Sequence, residues 1–242
     1  MNKLFSTRRL IPLLLLLILV GVAYGNEFKA SLANMPVYAE SADKGVIVDL
    51  VKAIETVSGN KISISVYPFA RSMHNVITGQ YDFHIPLIKN ELISENDLEY
   101  YFSTETIFHV NFVLYTIKDS PIALENLYRY TIETDRAHVN YFPFKILPSN
   151  SIEGSLKKLS VGRIDGWIFA DTATDPILKK LDLKNIERTL YKRFEVKVIL
   201  PKSKMGKETD AMLTKAIADL KKSSKFKEIM QMIDLPFDPW QP

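Results

Sequence analysis

Two charged residues of this chain stand where a predicted helix begins or a predicted strand ends, positions from which side chains can reach a ligand. Arg71 follows Pro68-Phe69-Ala70 and falls in the first turn of a predicted helix. A guanidinium is a poor partner for the positive end of a helix dipole, so its placement fits service to an anionic group. A surface pair with a nearby carboxylate is the plainer alternative. Asp171 ends the run Trp167-Ile168-Phe169-Ala170. A desolvated carboxylate there needs a cationic partner, and capping the helix that starts at Thr172-Ala173 is its alternative role. Tyr38 and Phe69 are candidate aromatic walls for the same pocket, Phe69 being equally suited to a core. Asp82 and Asp165 each close a glycine-led turn, where a carboxylate most often bonds to backbone.

Other chemistries lack their residues. The chain has no cysteine, which removes thiol catalysis, iron–sulfur clusters and cysteine-based zinc sites. Histidines at 74, 84, 109 and 138 lack the close paired spacing of a metal site. No nucleophile elbow, Walker A loop or dinucleotide fingerprint occurs. Neither a catalytic residue, a metal nor a cofactor is therefore expected. Of 31 basic residues, Lys3, Arg8 and Arg9 precede residue 26, leaving 28 against 28 acidic ones, a balance unlike that of a nucleic-acid binder.

Those three basic residues open a segment with an apolar run from Leu10 to Val22 and small residues Ala23 and Gly25. It reads as a cleavable secretory signal over residues 1–25, the run being short for a membrane span. Later apolar stretches are broken by charges, and no cysteine follows the signal for lipid attachment. A free periplasmic protein is expected, starting near Asn26.

Periodicity supplies the elements that must hold the candidate residues. Ile47, Leu50, Val51, Ile54 and Val57 mark a helix face ended by Gly59, and Ile62, Ile64 and Val66 alternate through a strand stopped by Pro68. A short helix to Gly79 and a strand from Tyr81 to Ile85 follow. Phe108 to Ile117 and Tyr130 to Glu133 read as extended, Ile152 to Val161 as helix, and Ile164 to Ala170 and Val196 to Leu200 as strands. Glu208 to Ile233 reads as a helical tail. The alternation predicts an α/β protein with a largely parallel sheet.

Several strings, in order along nearly the whole mature chain, resemble the bacterial extracellular solute-binding proteins of family 3, the amino-acid-binding type. Met35-Pro36-Val37-Tyr38 with Gly45-Val46-Ile47-Val48-Asp49-Leu50 looks like the family's Pro-aromatic loop and helix start. Gly79-Gln80-Tyr81-Asp82 and Gly162-Arg163-Ile164-Asp165 look like its glycine-x-x-Asp turn, once per lobe. Phe102-Ser103-Thr104-Glu105 resembles its Phe-Ser element, and Lys225-Phe226-Lys227-Glu228-Ile229 its closing helix.

The resemblance implies a two-lobed type II periplasmic-binding fold, with two hinge strands and an interlobe cleft. Lobe one would comprise 26–108 plus 197–242, and lobe two 109–196. It implies cleft closure around a small polar or charged solute, delivery to an inner-membrane ABC permease, a monomer, and no enzyme activity. A dehydratase-like enzyme and a ligand-sensing module for a membrane receptor are the alternatives on this scaffold. Ligand-binding candidates are Tyr38, Phe69, Arg71, Pro86, Arg136 and Asp171, with Asp171 matching the family's ammonium-binding acid. Leu92 stands where such proteins carry the arginine that grips an α-carboxylate, which makes a standard α-amino acid doubtful. Arg71 or Arg136 would have to supply the missing charge.

Overall fold

The computed structural model describes residues 25–242; the secretory-signal reading lies outside them. Eight strands form one sheet in the order β2-β1-β3-β8-β4-β7-β5-β6. In the first half, β1 (Glu27–Ala33) pairs in parallel with β2 (Lys61–Tyr67) and β3 (Phe83–Ile88). In the second, β5 (Ile132–Asp135) pairs in parallel with β6 (Leu147–Ser149) and β7 (Gly166–Ala170). Joining them are β4 (Tyr100–Ile117) and β8 (Ile186–Pro201), antiparallel to each other along nearly their whole length.

The expectation of a largely parallel sheet is therefore corrected to a mixed one. Strands that cross from one half to the other and return must run in opposite directions, and each pairs antiparallel with its neighbour, β3 or β7. Strand β1 carries no expectation from periodicity, because Ala30, Ser31 and Ala33 dilute its β signal.

Helix α1 (Val46–Ser58) buries Ile47, Leu50, Val51 and Ile54, and its left-handed Gly59 returns an N–H to the Glu55 carbonyl. Helix α2 (Phe69–Ile77) follows β2 directly, α3 (Ile152–Ser160) lies between β6 and β7, and α4 (Asp171–Leu181) follows β7. The helical tail is two helices, α5 (Lys204–Lys221) and α6 (Ser224–Met230), broken at Ser223.

Both glycine-led turns behave alike. Gly79 and Gly162 have φ near +70°, a region where a side chain is strained. In each turn the following aspartate grips the neighbouring parallel strand at both backbone groups. Asp82 accepts from Lys29 N at 2.7 Å and donates its own N–H to Lys29 O at 3.0 Å. Asp165 does the same with Thr131, at 2.7 and 2.9 Å.

The buried side chains gather accordingly. One cluster, including Leu32, Leu50, Phe83, Val198 and Leu213, draws only on residues 28–108 and 196–233. Two others, centred on Phe112 and Phe194 and on Tyr115 and Trp167, draw on residues 112–194.

The end of the chain, expected in lobe one, reaches the second half of the sheet. Phe237 and Trp240 pack on the cluster around Trp167. Arg188, whose side chain is fully buried, explains why. It makes a bidentate pair with Asp175, at 2.9 Å from Nε and 2.6 Å from Nη2, while Nη1 donates to the carbonyls of Asp238 and Trp240. Its guanidinium lies 4.3 Å from the Trp240 ring centroid. Gln241 bonds both backbone groups of Arg188, and Tyr115 donates to the same Asp175 at 2.7 Å. A buried cation needs all of these acceptors, and the tail supplies those that the β-sheet cannot.

Removing the counterion strands that cation. Asp175→Ala should lower the unfolding free energy by about 3–5 kcal/mol, read as a fall in the urea midpoint. A loss under 1 kcal/mol would show that the tail holds Arg188 without the carboxylate.

Candidate functional site

The carboxyl ends of the parallel strands converge on one cavity of about 350 Å3 between the two halves. The loop after β1 contributes Met35 and Tyr38, the start of α2 contributes Phe69, and the end of β3 contributes Pro86, Leu87 and Ile88. Phe108, Val110 and Val196 come from the crossing strands. The far wall is Ala137, His138 and Tyr141, from a 3-10 segment (Arg136–Tyr141) after β5.

Tyr38 is fixed by its own loop. Met35 and Ala39 bridge each other, and Val37 at the apex has φ of +70°, a costly conformation for a β-branched residue. Gly45 packs so closely that an added Cβ would lie 2.4 Å from Tyr38 O, which accounts for glycine there. The first N–H groups of α1 are spent on this loop: Val46 N donates to Val37 O and Ile47 N to Tyr38 O, both at 2.9 Å. The Tyr38 ring lies 5.8 Å from that of Phe108. Burial, and then the charge of Asp171, hold its hydroxyl pKa above the ordinary value.

Of the six candidates, Tyr38, Phe69 and Pro86 meet in this cavity. The three charged ones do not line it. Arg71 is exposed, with its guanidinium 5.0 Å from the Tyr67 ring centroid, and Arg136 is exposed and donates from Nε to Asn150 Oδ1 at 2.7 Å. Asp171 is buried in an adjoining narrow crevice that it shares with Tyr38 and Asn111. One carboxylate oxygen accepts from Asn111 Nδ2 at 3.0 Å and the other from Thr172 N at 2.7 Å, at the head of α4. Both oxygens thus have partners within the protein. Desolvation raises its pKa despite those bonds. Leu92 is exposed, in a loop ordered by its own N–H bond to Asn90 Oδ1.

His138 and Tyr141 carry no periodic signal, since their segment is neither a strand nor an α-helix; only tertiary folding sets them opposite Tyr38. His138 Nδ1 lies 3.1 Å from Asp135 Oδ1, and desolvation lowers its pKa in spite of that carboxylate. Tyr141 donates its hydroxyl to Ile88 O at 3.0 Å, and burial pushes its pKa up to about 12. Two further bonds cross between the halves nearby: Asn90 Nδ2 to Asn140 O at 2.9 Å and Lys192 Nζ to Glu91 Oε2 at 2.6 Å. Asp234 ties together the places where the chain crosses, accepting from His109 N on β4 and Arg193 Nη2 on β8.

One serine–histidine pair lies behind Phe69. Ser72 Oγ is 2.6 Å from His84 Nδ1 and 2.9 Å from Ser31 Oγ, and all three residues are fully buried. A nucleophile needs access to its substrate, so this chain of hydrogen bonds anchors α2 to the sheet. Among the described residues no group of three His, Cys, Asp or Glu is placed to hold a metal, and no helix is long and apolar enough to cross a membrane. A larger depression of about 550 Å3 between α1 and α6 is an open groove bearing Lys52, Asp49, Lys225 and Glu228.

No family model and no curated protein matches the chain. Solved structures do. The chain is similar to a histidine kinase sensor domain with similarity to periplasmic binding proteins, at 16% identity and a TM-score of 0.58 over 86% of this chain and 96% of that one. It is similar to the ligand-binding core of GluR0 from Nostoc punctiforme in complex with L-glutamate, at 14% and 0.60 over 86% and 100%. It is also similar to the arginine-, lysine-, histidine-binding protein ArtJ from Geobacillus stearothermophilus, at 18% and 0.57 over 86% and 94%. The chain has the two-lobed type II periplasmic-binding fold.

His84 gives this site a pH signature. Burial pushes its pKa down to about 4 from 6.5. The unfolded chain therefore binds a proton near pH 6.5 that the folded chain refuses until near pH 4, so stability present above 6.5 is lost as pH falls through that window. The loss should approach about 3 kcal/mol. Urea midpoints across pH 4–7 check it: His84→Leu should flatten the slope whatever its absolute stability, and an unchanged slope would assign the dependence elsewhere.

Proposed function

We propose that this chain is an exported solute-binding protein that captures a small molecule in the interlobe cleft and hands it to an inner-membrane ABC permease. The observation that carries this reading is the cavity itself. It lies beyond the carboxyl ends of parallel strands, its walls come from both halves, and hydrogen bonds close across it. The lobes are residues 26–108 with 197–234, and 109–196 with the tail after 234. They move as near-rigid bodies, and the three crossings act as the hinge. The sensor-domain neighbour supports a ligand-sensing use of the same cleft as the second reading. Both readings need binding without covalent chemistry, and the buried Ser72–His84 pair offers none.

The mature protein begins near Asn26, is periplasmic and works as a monomer. N-terminal sequencing of periplasmic material should return a start near Asn26, and a retained Met1 in the membrane fraction would overturn export as a free protein.

Capture by closure has its own test. Small-angle scattering of the purified protein should show compaction at saturating ligand, and Asn90→Ala, which removes the bond to Asn140 O, should shift the free protein towards the open form. Identical profiles in all three samples would argue for a fixed cleft. Cross-linking of the ligand-bound protein on native membranes separates the two readings, through recovery of a permease or of a receptor.

A further inference from the structure

The chemistry of the cleft wall defines its ligand more narrowly than the fold does. Four aromatic rings, those of Tyr38, Phe69, Phe108 and Tyr141, line it together with His138, and the remaining lining side chains are aliphatic, methionine or proline. No Asp, Glu, Lys or Arg is among the lining residues.

The charges that an amino acid would need do not line the cavity. Arg71 lies over Tyr67, Arg136 is bonded to Asn150, and Asp171 accepts from Asn111 and Thr172 in the adjoining crevice. Two of the helix N-termini near the cleft are also engaged. Those of α1 are held by the carbonyls of Val37 and Tyr38, and that of α4 by the carboxylate of Asp171. A carboxylate or ammonium desolvated against such walls would lack a counter-charge. Aromatic faces instead favour another ring, by stacked or edge contacts.

His138 offers a polar feature to orient a ligand. His138 Nδ1 bonds to Asp135 and so carries the proton of the neutral ring, which leaves Nε2 as an acceptor. The volume of about 350 Å3 is at the small end for ligand sites.

We propose that the cleft binds a neutral aromatic molecule of one or two fused rings bearing a single hydrogen-bond donor, such as an indole or a phenol, and that His138 Nε2 accepts from that donor. The inference rests on the cleft being a capture site, as proposed above.

Calorimetric titration of the purified protein with indole, 1-methylindole, L-tryptophan, L-arginine and L-glutamate tests it. Indole should bind, 1-methylindole about ten-fold more weakly for want of the donor, and the three amino acids more weakly still. His138→Phe, which keeps a ring but loses the acceptor, should abolish the preference for indole over 1-methylindole. Phe69→Ala, at a half-exposed position, should weaken both, while Arg71→Ala and Arg136→Ala should leave affinity within two-fold.

No heat from indole at millimolar concentration overturns the inference, as does tight amino-acid binding lost in Arg71→Ala or Arg136→Ala. If an amino acid binds and compacts the protein while indole does not, the ligand class falls and the capture reading stands. If no compound binds and scattering never changes, both fall.

Discussion

Everything in this molecule hangs on the antiparallel ladder between β4 and β8. The two strands pair from Tyr100 opposite Pro201 to Ile117 opposite Ile186, with irregularities between Phe102 and Phe108 and again after Phe112. That ladder makes one sheet of two parallel halves and fixes their relative position. It also brings the carboxyl ends of β1, β2 and β3 to face the segment after β5. Phe108, Val110 and Val196, from the crossing itself, form part of the cavity wall. A continuous hydrogen-bonded ladder resists shear but tolerates bending at bulges, so the same strands that build the cleft can serve as its hinge.

The tail adds a constraint that two crossing strands alone would not. After α6 the chain passes to the second half, and Asp234 binds β4 and β8 where they cross. Beyond it, Arg188 gathers the tail by its backbone carbonyls and by stacking on Trp240. The buried charge and the tail support each other: without the tail carbonyls the guanidinium would be short of acceptors, and without the guanidinium the tail would lose two hydrogen bonds and the stacking on Trp240.

Electrostatics sort the cleft from its surroundings. Ion pairs and charged hydrogen bonds are plentiful around it, as with Glu91 and Lys192 or Asp135 and His138, yet the cavity lining itself is apolar and aromatic. The separation has a local cause at each point: Asp171 accepts from Asn111 and from Thr172 N in its own helix, the α1 N-terminus is closed by a tight loop, and Arg71 turns its guanidinium to Tyr67. A shared fold does not by itself fix the chemistry of its cleft, because fold and site chemistry are set by different residues.

Local pattern in the sequence determined most of the scaffold. The apolar faces of α1 and α5, the alternation in β2, and the two glycine-led turns that grip a neighbouring strand all follow from spacing a few residues long. The order of family-like strings points to two lobes, and three of the residues singled out from sequence, Tyr38, Phe69 and Pro86, line the cavity. What only the tertiary structure decided is how distant residues combine. Strand β1, with its alanines and serine, becomes a strand because β2 and β3 flank it. The crossing of the tail depends on a guanidinium some fifty positions earlier meeting its carbonyls. His138 and Tyr141 face Tyr38 from about a hundred residues away, across a closed cleft. Arg71 and Arg136 sit outside the cavity, against the half-buried Tyr67 and the exposed Asn150, contacts that local pattern does not reveal. Secondary structure answers to neighbours within a few residues, whereas a binding site answers to the long-range register that packs them together.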